Sequence, residues 1–143
     1  MDLSCLYEAS VALADSLIFS KMEVLRNFLF VALGGALGSV ARYALSLVAG
    51  WLSVSGLWAT LAANGLGSLL IGVSVALLRG DAYLLAAVGF CGGFTTFSTF
   101  SLQAVELFQG GEKGMALLYM AGSLLLSIGC VVVGLYVANR CIK

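Results

Sequence analysis

The sequence predicts an all-α integral membrane protein with four transmembrane helices, the third of them broken in mid-span. Three observations predict it. Of 143 residues, 62% are hydrophobic and only 10% charged, whereas a soluble domain carries roughly a quarter charged residues. Charge is absent from four long stretches, Asn27–Ala41, Tyr43–Leu78, Ala82–Val105 and Gly114–Asn139. The third stretch alone carries a glycine pair followed by a cluster of hydroxyl residues.

A bilayer core of roughly 30 Å requires about 20 apolar residues at 1.5 Å each. The charge-free stretches therefore give spans near residues 27–50, 57–78, 82–108 and 115–139. They use nearly all of residues 22–143, which form a single four-helix domain with no room for a soluble catalytic module. Residues 1–21 differ. Leu3, Leu6, Tyr7, Val11, Ala14, Leu17 and Ile18 fall at helical spacing among Asp2, Glu8 and Asp15. With no basic n-region this is no secretory signal. Two readings stay open: an interfacial amphipathic helix, or an extension upstream of a natural start at Met22.

The first span contains Gly34, Gly35 and Gly38. Small residues at i, i+4, as in Gly34/Gly38 and Gly35/Ser39, let helix backbones approach closely. Trp51 and Trp58 bracket a short loop and suit interfacial anchoring. The second span places Asn64, Ser68 and Gly72 on one face. An Arg79-Gly80-Asp81 turn leads into the third span, and Gln109–Gly114 forms the next turn. The fourth span carries a stripe at four-residue spacing, Tyr119, Ser123 and Ser127.

Four spans put both termini on one side of the membrane. Lys21, Arg26, Arg79, Arg140 and Lys143 lie on that side, Lys113 on the other, and Arg42 within a helix. The positive-inside rule then predicts cytoplasmic termini. Zero net charge says nothing about partners, but there is no basic patch of the kind nucleic acid requires. Cys5, Cys91, Cys130 and Cys141 form no CxxC pair and read as small buried hydrophobes. Histidine is absent, which removes His-ligated haem, His proton relays and most zinc chemistry.

In the third span, Gly92-Gly93 is followed by Thr95, Thr96, Ser98, Thr99 and Ser101. Glycine pairs weaken a helix and hydroxyls compete for its backbone groups. Irregular backbone at membrane depth survives only inside protein or along a cavity, and its freed carbonyls are cation ligands. The plainer account is close packing with hydroxyls bonded back to the helix. Phe97 and Phe100, at i, i+3, share a face among these hydroxyls. Ring edges are positive, so edge-on rings can solvate a small anion. Asn64, Tyr119, Ser123 and Ser127 add donors; each alone is more often a helix–helix hydrogen-bonding residue than a transport site. Arg42, ionisable within a span, is functional by default or snorkels to the interface. No Asp or Glu lies inside a span, Glu106 being near an end. Donors and one positive charge without a carboxylate point to passive movement of an anion. A small four-helix proton-coupled exporter would want a central carboxylate, and a non-catalytic membrane-anchor subunit of a haem-bearing complex would want histidine. No nucleophile–base constellation exists, so no enzyme activity is expected.

Three strings carry a resemblance in order and spacing: GGALGSVARY (Gly34–Tyr43), ATLAANGLGSLLIG (Ala59–Gly72) and GFCGGFTTFSTFS (Gly89–Ser101). Over about residues 25–140 the chain resembles the Fluc (CrcB) fluoride channels. The resemblance implies a cell-membrane, antiparallel dual-topology dimer that passively exports fluoride and protects against its toxicity. It implies a fluoride pathway of Asn64, Phe97, Ser98, Thr99, Phe100, Tyr119, Ser123 and Ser127, with Arg42 toward the aqueous vestibule. Backbone carbonyls of Gly92 and Thr95 would hold a structural sodium ion at the dimer interface. Gln103 departs from the family pattern, standing where an acidic residue is frequent; Ala59 and Ala63 replace commoner Gly and Val. The charge bias departs too, because an antiparallel homodimer needs both insertions. Either the bias is tolerated, or the chain pairs with an oppositely oriented homologue.

Overall fold

A computed structural model describes residues 3–142, with side chains from Ile18 onward. Helix α1 runs Leu3–Trp51 and α2 runs Gly56–Leu77. The third span, Gly80–Gln109, is composite. A short α3 (Gly80–Tyr83) passes into a π-helical stretch, Leu84–Cys91, then α4 (Gly92–Phe94) and, after a break, α5 (Phe97–Gln109). Helix α6 runs Lys113–Cys141. All four spans are long and apolar enough to cross a membrane, and the chain is a multi-pass membrane protein.

The first helix is longer than its hydropathy demands. It passes through Lys21, Met22, Glu23 and Arg26 without interruption, because charged residues outside the bilayer are good helix formers. The apolar stripe expected over residues 3–18 lies almost wholly outside the described side chains. Turns fall where punctuation placed them: Gly80 has φ +56° and Gly111 φ +85°. The Arg79 guanidinium donates to the carbonyls of Val75 and Leu78, at 2.8 and 2.6 Å, and caps the end of α2. Trp51 and Trp58 are both exposed beside the first turn, as interfacial anchors should be.

Glycines set the packing. A Cβ on Gly34 or Gly38 would fall on the carbonyl oxygens of Leu85 and Phe90 respectively. The backbones of the first and third spans therefore touch, and they run parallel. Gly72 and Gly134 do the same for α2 and α6, where a Cβ on Gly72 would lie 3.2 Å from Gly134 Cα. The fold is two such parallel pairs set antiparallel to each other. Arg26 Nε lies 3.4 Å from Asp81 Oδ1, which fixes the start of the third span beside the first on the side carrying both termini. Cys91 is buried and Cys130 half-buried, but Cys141 is exposed. The expectation of buried cysteines fails there because Cys141 is the last residue of α6, beyond the reach of neighbouring spans.

Candidate functional site

The helix break is where the site is built, and it falls at Thr95-Thr96 rather than at the glycine pair. Gly92 is helical, with φ −62° and ψ −38°, whereas Thr95 and Thr96 are extended, at ψ 158° and 116°. Gly93 serves contact instead, since a Cβ there would meet the Gly35 carbonyl, whereas one on Gly92 would meet nothing within 4 Å. The threonines stop the helix. Thr95 Oγ1 donates to Cys91 O at 2.8 Å, and Thr96 caps α5 by accepting the Thr99 N–H at 3.2 Å.

Asn64 holds the break open from α2. Its Oδ1 accepts the Thr96 N–H at 2.7 Å and its Nδ2 donates to Thr96 O at 3.1 Å. A continuous helix would give that N–H to Gly92 O, four residues back. Diverting it leaves the Gly92 carbonyl without its helical donor. Thr95 O lies outside both half-helices, and the Thr99 N–H that could reach it is turned to Thr96 Oγ1. On the other flank, Arg42 Nε donates to Gly93 O at 3.3 Å. Arg42 is half-buried at the break.

The two ends of the break have opposite chemistry. The preceding half-helix ends in carbonyls that lack the next turn's donors, Gly92 O among them, and α5 begins with N–H groups that lack intrahelical partners. Carbonyl acceptors and N–H donors thus lie a few residues apart. Gly92 and Thr95 fit a hard monovalent cation, because both offer neutral oxygens that the fold has already stripped of donors.

Beside the break a groove of about 230 Å³ is lined by Asn64, Ser68, Thr96, Phe97, Phe100, Ser123, Leu124 and Ser127. It brings together five of the residues expected in the pathway: Asn64, Phe97, Phe100, Ser123 and Ser127. Phe97 and Phe100 are tilted at 43° with centroids 5.6 Å apart, and Phe97 is 79% exposed. Ser98 and Thr99 lie instead around the cap, with Thr96 Oγ1 3.3 Å from Ser98 Oγ and donating to Thr99 Oγ1 at 3.1 Å. Tyr119 is buried one turn beyond Ser123, its ring 5.3 Å from that of Phe100. Its hydroxyl donates to Gln103 Oε1 at 2.7 Å.

Three lining residues, Ser68, Thr96 and the apolar Leu124, were not among those expected in the pathway. Ser68 had a signal, its place one turn from Asn64. Thr96 had a local one, a hydroxyl three residues before Thr99, the pattern of an N-cap. Its pairing with Asn64, 32 residues away, had none.

Four parallel-paired spans around a clamped helix break, with a hydroxyl- and ring-lined groove beside it, define a membrane protein built to handle a small ion. Comparison narrows this. The family model described as CrcB-like protein, Camphor Resistance (CrcB), matches residues 29–135, and the chain belongs to that family. It is 52% identical over 110 residues to a fluoride-specific ion channel FluC of Thermus thermophilus, covering 73% of this chain and 88% of the relative. A protein of the same name from Nitrobacter winogradskyi is 47% identical, over 78% of this chain and 94% of the relative. That from Chlorobaculum tepidum is 44% identical, over 81% and 97%.

Proposed function

We propose that this chain is a fluoride-selective channel that lets fluoride leave the cytoplasm passively and so protects the cell from it. The carrying observation is the groove, which offers hydroxyls, an amide and two tilted rings, with no carboxylate among its lining residues. Fluoride enters cells as its neutral acid and dissociates inside, so a passive pore suffices to remove it. The groove's donors replace the hydration shell, and the positive ring edges of Phe97 and Phe100 do so without the tight hold of an ammonium. The likeness to relatives named fluoride-specific channels supports the same substrate.

The working unit is a dimer of oppositely inserted chains. Phe97, exposed on the single chain, then meets a partner, and the groove becomes a closed path away from membrane lipid. Gly92 and Thr95 would hold a sodium ion there, which would supply fixed positive charge at the dimer centre.

Reconstitution tests the function. Liposomes loaded with potassium fluoride should release fluoride when valinomycin is added, and chloride-loaded ones should not. Fluoride release no faster than from protein-free liposomes removes the reading. Phe97→Ile, which keeps bulk but removes the ring edge, should slow fluoride efflux by at least about tenfold, since a desolvated ion–ring contact is worth on the order of 1–2 kcal/mol.

The charge bias bears on the partner. Five of the six Lys and Arg residues outside the spans lie on the terminal side, which favours one orientation and hence pairing with an oppositely oriented homologue over self-pairing. A C-terminal tag probed from both membrane faces should then be reached from the cytoplasmic face alone. Equal labelling from both faces would make the chain its own partner.

A further inference from the structure

We infer that Gln103 is a positioning residue: it fixes the Phe100 ring at the groove through Tyr119, whose hydroxyl serves Gln103 and not the ion. This rests on the fluoride reading above, and it assigns that reading's rings and hydroxyls different tasks.

The observations form one chain. Tyr119 is only 8% exposed, and its O–H points into a 2.7 Å hydrogen bond with Gln103 Oε1. A phenol has a single proton to donate, so the Tyr119 proton is committed. Tyr119 does not line the groove; with Ser123 it lines an adjoining cavity between α2 and α6. What Tyr119 presents toward the groove is its ring, 5.3 Å from Phe100 and tilted by 42°. Phe100 in turn lies 5.6 Å from Phe97 at 43°. Three rings thus lean on one another at nearly constant tilt, and only the last is tethered by a polar group. Tilted rings at these separations prefer edge-to-face contact, so the orientation of Tyr119 is passed to Phe100, which lines the groove. Gln103 lies beside the start of α2, its Nε2 3.4 Å from where a Cβ on Gly56 would stand.

The arrangement explains why an amide can occupy this place. The tether needs an acceptor oxygen for the phenol, and an amide supplies one without adding a negative charge along an anion's route.

A double-mutant cycle tests this in reconstituted full-length protein. Tyr119→Phe keeps the ring and removes the proton; Gln103→Met keeps length and removes the acceptor. Each should slow fluoride efflux by the same factor, roughly fivefold to tenfold, the scale of one ordinary hydrogen bond. The double variant should be no slower than either. Gln103→Glu, which keeps an acceptor for the phenol, should recover part of the loss seen in Gln103→Met. If the hydroxyl served the ion directly, Gln103→Met would free it and efflux would hold or rise while Tyr119→Phe fell; that split overturns the inference. A readout independent of transport is the Tyr119 Cζ chemical shift, followed by NMR of tyrosine-labelled protein, which responds to the hydrogen bond at the hydroxyl. A changed shift in Gln103→Met supports the tether, and an unchanged one overturns it. Wild-type protein that releases no fluoride would overturn the function reading alone, leaving the Cζ shift to judge the tether.

Discussion

Asn64→Asp should reduce fluoride efflux at neutral pH by at least about a hundredfold while the protein still folds. The substitution changes one group. The Nδ2 donor that meets Thr96 O at 3.1 Å becomes a second carboxylate oxygen facing a carbonyl. Loss of that bond, with two acceptors left opposed, costs about 1–3 kcal/mol. A fixed negative charge now also stands on the wall of the groove. At an effective dielectric of 20, two like charges roughly 5 Å apart repel by about 3 kcal/mol, and each 1.36 kcal/mol on the barrier is about tenfold in rate. The electrostatic effect is the larger, and it acts on the ion rather than on the fold.

Acid separates the two effects. A protonated aspartic acid has both groups that Thr96 requires, a carbonyl for its N–H and an O–H for its carbonyl. Lowering the pH through the carboxyl's titration therefore removes the charge and restores the clamp together, and efflux through Asn64→Asp should rise. Asn64→Leu has nothing to protonate and should stay slow at every pH. Efflux assayed across a pH series decides the matter: a flat, fast profile for Asn64→Asp would mean that this amide neither clamps the break nor borders the path.

The clamp also shows where a sequence stops being legible. The spans were readable because the bilayer imposes a single coarse demand, length without charge. The spans expected near residues 57–78 and 115–139 accordingly match α2 and α6 to within two residues at each end. Gly34 and Gly38 were readable too, since small residues at i, i+4 have one main use in a membrane. The position of the break was not. Gly92-Gly93 is the locally weaker site, yet it stays helical, with Gly93 taken up by contact with the first span. Thr95 and Thr96 give way instead, since Asn64 takes the Thr96 N–H. No local preference encodes that choice, and the same holds for the widened helix at Leu84–Cys91. The tether from Tyr119 to Gln103 was hidden for the same reason. Tyr119 was visible as a donor, but only the fold shows that its proton is already used.

Gly38→Ala should cost the protein its folded state, although alanine is the better helix former by up to about 1 kcal/mol. A Cβ here would fall on the Phe90 carbonyl oxygen, with Phe94 N at 2.9 Å and Phe90 C at 3.0 Å. All three are backbone atoms of a neighbouring helix, so no rotamer change relieves them. The first span must move away bodily. Overpacking a core by one methyl costs about 1–3 kcal/mol when side chains can yield, and here none can. The same separation would draw Arg42 off the Gly93 carbonyl, one turn further along α1, and loosen the break from that flank. Gly50→Ala is the control, because its Cβ would meet nothing within 4 Å, and it should be neutral or mildly stabilising. Recovery of monodisperse protein after graded heating in detergent gives the comparison. Gly38→Ala should aggregate well below the wild-type midpoint and Gly50→Ala at or above it. Wild-type recovery for Gly38→Ala would mean that the first and third spans do not touch backbone to backbone, and the support given to the break from that side would go with the contact.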